Sequence, residues 1–140
     1  MGVRVRVRVV IGVRVFEAIA LANTGFETDE PQLLIPYNLL MEKNVDISEL
    51  GKPSLLEYDT PGGSVTMYVY PKACRVSIIE PDRSSREVIA DLVVSLTERE
   101  VLMSDALIEE LGVIIISPRK GLWKFTDDPS TTTRSSQRIV

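Results

Sequence analysis

The chain has 140 residues, of which 44% are apolar and 26% charged, and its formal net charge is −4 at pH 7. These values are typical of one soluble globular domain that is large enough to bury a core. The single cysteine, Cys74, excludes an internal disulfide and suits a reducing compartment. Histidine is absent, which excludes Ser–His and Cys–His catalytic pairs and histidine-ligated metals. Any chemistry must therefore use carboxylates, amides, hydroxyls, Lys or Tyr, and we expect neither a metal nor a cofactor.

The sequence contains no run of apolar residues that predicts a signal peptide or a membrane span. The longest apolar run near the start, residues 9–11, is interrupted by Gly12. No segment approaches the roughly 20 apolar residues that a membrane-spanning helix requires. We therefore expect a cytoplasmic protein with no membrane partner.

Residues 3–9 predict the first strand, because valines alternate there with Arg4, Arg6 and Arg8. This row of arginines raises the possibility of a nucleic-acid surface. The chain after residue 14, however, contains 12 basic and 20 acidic residues, an excess that would repel a phosphate backbone. We expect no nucleic-acid partner, and an arginine row that is solvated or paired with acidic groups.

Residues 13–21 predict a second strand, which forms a hairpin with the first and ends at the turn Asn23-Thr24-Gly25. The chain then returns into a core through residues 33–35 and enters a short helix over 36–43, with Pro36 suited to its first position. Such a turn holds a polar group on a rigid loop, as a catalytic residue requires. Asn and Gly are equally common in ordinary turns, so these residues alone leave both interpretations open.

The clearest hairpin signal lies further along the chain. Residues 54–58 and 65–70 flank a turn over 59–64, which contains Pro61, Gly62, Gly63 and Ser64. Residues 73–79 and 87–96 predict two further strands.

The last third of the domain predicts a helix between strands. Residues 101–103 end a strand, Ser104 or Asp105 can cap a helix, and Gly112 can end it in a left-handed conformation. Residues 113–116 and 122–125 predict strands. In residues 127–140, six of fourteen side chains are Ser or Thr, so we expect a domain over 1–126 and a disordered tail over 127–140.

Two segments resemble the retropepsin-like (clan AA) aspartic peptidases, in particular their small microbial single-domain type. Residues 21–28 and 34–36 resemble the pattern apolar-apolar-Asp-Thr-Gly-Phe-Thr followed by Leu-x-Leu-Pro and a helix. Residues 102–104 and 111–116 resemble a second pattern: two apolar residues, Gly, a short helix ending in Leu-Gly, and an apolar strand. The resemblance covers residues 3–125. It implies a mainly β fold, the closed β-barrel of an acid-protease half, with one or two short helices.

The resemblance also implies a mechanism and a set of site residues. The family hydrolyses peptide bonds with two carboxylates about 3 Å apart that share one proton. One chain has one such loop, so the resemblance implies a homodimer with its site on the twofold axis. It assigns Thr24 to a hydrogen bond across that axis and Gly25 to the turn. Phe26 and the hairpin tip, which acts as a flap in the family, would then contact a peptide or an unfolded protein segment.

Two positions depart from the family pattern. Asn23 stands where the family has its catalytic Asp, and Ser104 stands where it has Gly. An amide has neither the basicity nor the acidity that this hydrolysis needs, so we expect the chain to be inactive.

Asn23 leaves three interpretations open. The residue could be an engineered inactivation of a peptidase, or the chain could be a naturally inactive dimeric β module that binds extended peptides or a protein partner. The third is an unrelated small β-rich interaction domain.

Overall fold

Alternating valines build the first hairpin in a computed structural model that describes residues 2–138, apart from the side chains of residues 58–60. In the first strand Val5, Val7 and Val9 are fully buried. The hairpin turns at Gly12, whose φ of 58° lies in the left-handed region that glycine tolerates. The hairpin predicted from the alternation is confirmed.

Ten strands, two α-helices and one 3₁₀ turn form the described part of the chain. In chain order they are β1 (Arg4–Ile11), β2 (Arg14–Ala22), β3 (Gln32–Pro36), α1 (Tyr37–Glu42), the 3₁₀ turn (Ile47–Leu50), β4 (Ser54–Thr60), β5 (Gly63–Ile78), β6 (Val88–Ser95), β7 (Val101–Met103), α2 (Asp105–Glu110), β8 (Val113–Ser117), β9 (Leu122–Phe125) and β10 (Arg134–Ser135).

Six strands close into a barrel. Their order is β1-β2-β7-β3-β6-β5, and β5 pairs back to β1 through residues 75–78 and 7–10. β7 lies between β2, to which it is parallel, and β3, to which it is antiparallel. β4 extends the sheet beyond the barrel by pairing with β5, and β8, β9 and β10 form a separate three-stranded sheet. The expected mainly β fold, a closed barrel with two short helices, is confirmed.

Both helices are short. α1 begins at Tyr37, one residue later than expected, because Pro36 has an extended conformation and completes β3. α2 begins after Ser104 and buries Leu107 and Ile108 in the main core. None of the helices in residues 2–138 is long and apolar enough to cross a membrane.

The arginine row of β1 is partly paired with acidic side chains. Arg4 forms a salt bridge of 2.9 Å with Glu100, and Arg6 lies 3.6 Å from Glu17 on the neighbouring strand. The expectation of a solvated or acid-paired row is therefore confirmed.

β5 is one long strand, where the sequence predicts separate strands over 65–70 and 73–79. Its pairing with β6 shifts register between Tyr70 and Cys74. Within this bulge Lys72 has a left-handed φ of 52°, and its N–H donates to Asp91 Oδ1 at 2.9 Å. The side chain from β6 thus stabilises a bend that would otherwise end the strand.

The hairpin of β4 and β5 has a tighter turn than predicted. Thr60 is in register with Gly63, so the connection consists of Pro61 and Gly62 alone. The predicted turn over 59–64 is therefore too long, because both strands continue to the tip.

The C-terminal segment is packed on the domain. β10 pairs with β9, and the Gln137 N–H donates to the Arg4 carbonyl at 2.7 Å. Arg134, only 8% exposed, donates to Asp82 at 2.7 Å and to Asp128 at 2.8 Å. The disordered tail expected over 127–140 is thus wrong for residues 127–138, and residues 139–140 lie outside the described part. The Ser- and Thr-rich composition predicts disorder, but ion pairs of the buried Arg134 side chain hold this segment on the domain.

Candidate functional site

The turn that follows β2 is held by the backbone and side chain of Asn23. The Asn23 N–H donates to the Met103 carbonyl at 3.2 Å, and the Asn23 carbonyl accepts from the Phe26 N–H at 3.0 Å. The side-chain oxygen accepts from the Gly25 N–H at 3.1 Å. Asn23 is half-buried, while Thr24 and Gly25 are exposed. The turn therefore holds the Asn23 amide in place and exposes Thr24 and Gly25. We call residues 23–30 the Asn23 loop.

Ser104 is hydrogen-bonded to the strand that follows the Asn23 loop and to helix α2. It is fully buried, and its Oγ accepts from the Gln32 N–H at 3.0 Å and from the Leu107 N–H at 3.3 Å. The second bond caps α2, as the sequence predicts. One hydroxyl thus joins the start of β3, which follows the Asn23 loop, to the start of α2.

We expect Ser104→Ala to lower the free energy of unfolding by about 1–3 kcal/mol, because two backbone N–H groups lose their acceptor. Urea unfolding of the two proteins measures the difference. Ser130→Ala at an exposed position is the matched control, with an expected change within about 0.5 kcal/mol. Equal effects of the two substitutions would contradict the bridging role of Ser104.

Asp105 fixes the far end of the Asn23 loop. Its Oδ1 accepts from the Thr28 N–H at 2.9 Å and from the Ala106 N–H at 2.7 Å, and its own N–H donates to the Phe26 carbonyl at 2.9 Å. The sequence predicts Asp105 only as a possible helix cap. Its role as a loop anchor depends on a contact 77 positions away in the chain, which no local pattern reveals.

Phe26, a predicted substrate contact, packs on the outer face of the sheet. With Met67 and Leu102 it covers a small cluster of three buried side chains, Leu34, Val69 and Val93. Phe26 is half-buried, so one part of the ring stabilises the loop while the rest remains accessible.

The hairpin approaches the Asn23 loop along β4. A depression of about 580 Å³ is lined on one side by loop residues 27–30 and on the other by Leu56 of β4. The predicted flap residues Pro61, Gly62, Gly63 and Ser64 are exposed at the tip of the same hairpin, beyond Leu56.

Asn23 borders a different depression, of about 450 Å³, together with Leu21, Leu102 and residues 97–100. A third depression, of about 500 Å³, lies beside Thr24 and Thr28 and reaches Val113 at the start of β8. The structure thus keeps Asn23, Thr24, Gly25 and Phe26 together on one loop, with recesses on three sides.

The single thiol is unsuited to nucleophilic chemistry. Cys74 is buried, and its Sγ lies 3.4 Å from the Ala90 carbonyl oxygen. Burial raises the pKa of this thiol to about 12, so it stays protonated at neutral pH.

Gly25 does not require the left-handed conformation expected of a turn glycine. Positive φ values occur at other described glycines, among them Gly112 at 77°. A Cβ atom at Gly25 would lie 3.4 Å from Asn23 Oδ1, an ordinary contact. The turn is therefore formed by the hydrogen bonds of Asn23, and the small size of Gly25 leaves the exposed surface open.

We expect Gly25→Ala to change the free energy of unfolding by no more than about 0.5 kcal/mol. Gly112→Ala is the matched comparison and should cost about 1–2 kcal/mol, because its backbone is left-handed and a Cβ atom would lie 3.3 Å from Thr126 Oγ1. Thermal unfolding measures both. A Gly25→Ala loss as large as that of Gly112→Ala would mean that Gly25 is needed for the turn itself.

No protein-family model matches the sequence, and no curated protein sequence is detectably similar to it. The closed barrel and the geometry of the Asn23 loop are therefore the basis for assigning a function.

Proposed function

We propose that the chain is a homodimeric, catalytically inactive module of the retropepsin type that binds extended polypeptides beside the Asn23 loop. The observation on which this rests is the chemistry of Asn23. Its side-chain oxygen is hydrogen-bonded to the Gly25 N–H, at the position where the resemblance puts a catalytic carboxylate. A neutral amide there can orient a peptide but cannot exchange protons with an attacking water.

The way in which the Asn23 loop is anchored supports its assignment as a recognition site. The Asn23 N–H bonds to the Met103 carbonyl of β7, and Asp105 accepts from the Thr28 N–H, so the loop that contains Thr24 and Gly25 is anchored at its start and near its end. Rigid presentation of an exposed turn is what a recognition site requires, because little conformational entropy is lost on binding.

Support for a homodimer comes from β8. It is an end strand of the three-stranded sheet, and its outward side chains Ile114 and Ile116 are 42% and 47% exposed. An apolar edge strand favours pairing with another chain, and a twofold axis lets the same edge pair with itself. β8 begins at Val113, which borders the same depression as Thr24 and Thr28, so this pairing would bring two Asn23 loops close together.

Support for polypeptide binding comes from the hairpin. β4 is the end strand of the seven-stranded sheet, and it faces the Asn23 loop across a groove. An extended segment can add to such an edge through main-chain hydrogen bonds, with side chains alternating between groove and solvent.

Sedimentation equilibrium and fluorescence anisotropy with a labelled unfolded protein test this proposal. We expect a dimer, saturable binding and no cleavage products. Replacing Ile114 and Ile116 by Lys should give a monomer of unchanged fold by circular dichroism. A wild-type monomer, or cleavage by the wild-type chain, would overturn the proposal.

A further inference from the structure

The groove between the Asn23 loop and the hairpin is strongly acidic. Glu27, Asp29 and Glu30 are exposed on its loop side, and Asp91 and Asp105 line the same depression. None of the described residues that line it is basic. Five carboxylates thus face one space of about 580 Å³.

Among residues 2–138, no described cation forms a salt bridge with these carboxylates. Asp91 and Asp105 accept hydrogen bonds from uncharged backbone N–H groups, at Lys72 and Thr28. The ion pairs described within residues 2–138 involve other acidic residues on other surfaces. The groove therefore keeps its negative potential, and a recess focuses such a potential more strongly than a flat surface.

The hairpin side of the groove is apolar and ends in a free edge. Leu56 is 40% exposed and lies in register with Met67, which packs with Phe26 in the outer-face cluster. At the floor, Gln32 Nε2 donates to Asp91 Oδ2 at 3.3 Å, which fixes this carboxylate in the groove. The groove thus combines an open strand edge, an apolar contact and excess negative charge.

We propose that the polypeptide bound here is basic, and this inference rests on the proposed function. An extended segment adds to β4, its apolar side chains contact Leu56 and Phe26, and its Lys or Arg side chains face Glu27, Asp29 and Glu30. Cationic side chains supply both the charge and the hydrogen-bond donors that the groove lacks. An acidic segment would meet uncompensated repulsion at every carboxylate.

Anisotropy with three labelled peptides tests the inference. The peptides share one alternating apolar pattern and differ only in whether the remaining positions are Lys, Gln or Glu. At about 0.02 M salt we expect the Lys peptide to bind at least about tenfold more tightly than the Gln peptide, and the Glu peptide more weakly than either. At about 0.5 M salt the difference should largely vanish, because charges this exposed are screened.

Two double variants with the same change in net charge provide the control. Asp29→Asn with Glu30→Gln should remove most of the preference for Lys, whereas Glu42→Gln with Glu49→Gln, exposed on α1 and the 3₁₀ turn, should preserve it. Equal affinity for the three peptides, or equal loss in both variants, would overturn the acidic-groove inference alone. Absence of binding to all three peptides would overturn the proposed polypeptide binding as well.

Discussion

Asn23→Asp is expected to give the proposed dimer a peptidase activity, with none expected from the wild-type chain. The substitution replaces the amide NH₂ by oxygen with almost no change in shape, so the hydrogen bond from the Gly25 N–H can persist. In the proposed dimer it creates a pair of carboxylates that share a proton, one as base for water and the other as acid for the carbonyl. We expect cleavage of an unfolded protein at least about 10²-fold above the wild-type background.

The pH dependence identifies the chemistry. Two coupled carboxylates titrate as a pair, so activity of the Asp variant should be bell-shaped between about pH 3 and pH 7. Asn23→Ala is the control, because it removes the amide without adding an acid, and it should remain inactive. Activity in neither the Asp variant nor the wild type would favour a module with no peptidase ancestry. Activity in both would place the catalytic group elsewhere.

The same variant should dimerise more weakly at pH 7 than the wild type. Two ionised carboxylates facing each other across the axis repel, whereas two amides can hydrogen-bond without charge. Lowering the pH toward 4 protonates the pair and should restore the affinity. Sedimentation at both pH values measures this, and a variant that dimerises equally well at pH 7 and pH 4 would place residue 23 away from the axis.

Local patterns predicted the barrel strands and the helix ends well. The alternating valines of β1 predict a strand with one buried face, and Ser104 caps α2 through a bond to a residue three positions away. These features depend on residues that are close together in the chain, so a single sequence is enough to predict them.

Features built from distant side chains were not predicted. The bend that keeps β5 continuous depends on Asp91 from another strand, and the far anchor of the Asn23 loop depends on Asp105. The packed C-terminal segment depends in part on Asp82, which lies 52 positions before Arg134. Its Ser- and Thr-rich composition predicts disorder, because composition does not reveal which charges become buried and paired.

The second large effect is expected at Arg134. Its guanidinium is 8% exposed, hydrogen-bonds Asp128 and Asp82, and lies 5.1 Å from the centre of the Phe125 ring. The side chains of Asp128 and Glu80 are only 4% and 9% exposed. Removing the cation would take the main charge partner from both carboxylates and leave Asp128 with only the Phe125 N–H and a 3.5 Å contact to Arg83. Loss of one partner of a buried ion pair typically costs about 3–5 kcal/mol. We therefore expect Arg134→Met to lower the free energy of unfolding by about that amount, measured by urea denaturation at pH 7.

A surface arginine provides the matched control. Arg75 is 52% exposed and pairs with Glu87 at 3.4 Å, so Arg75→Met should cost no more than about 1 kcal/mol. A loss at Arg134 no larger than that at Arg75 would mean that the C-terminal segment adds little to the stability of the domain.

Acid titration distinguishes loss of the ion pairs from loss of packing. Hydrogen bonds from Arg134 hold the pKa of Asp128 at about 2, below its unfolded value of about 3.9, although burial opposes the shift. A depressed carboxyl pKa stabilises the fold above the unfolded pKa, and this contribution is lost as the pH falls from about 4 toward 2. In Arg134→Met the buried Asp128 carboxyl has lost its main cation and takes up a proton more readily, so the deficit in stability relative to wild type should shrink over the same range. Adding Asp128→Asn to the variant should recover part of the lost free energy of unfolding at pH 7, because the second substitution removes the buried carboxylate charge that Arg134 had balanced. A deficit that is independent of pH and unrelieved by Asp128→Asn would assign the effect to the contact of the arginine side chain with the Phe125 ring instead.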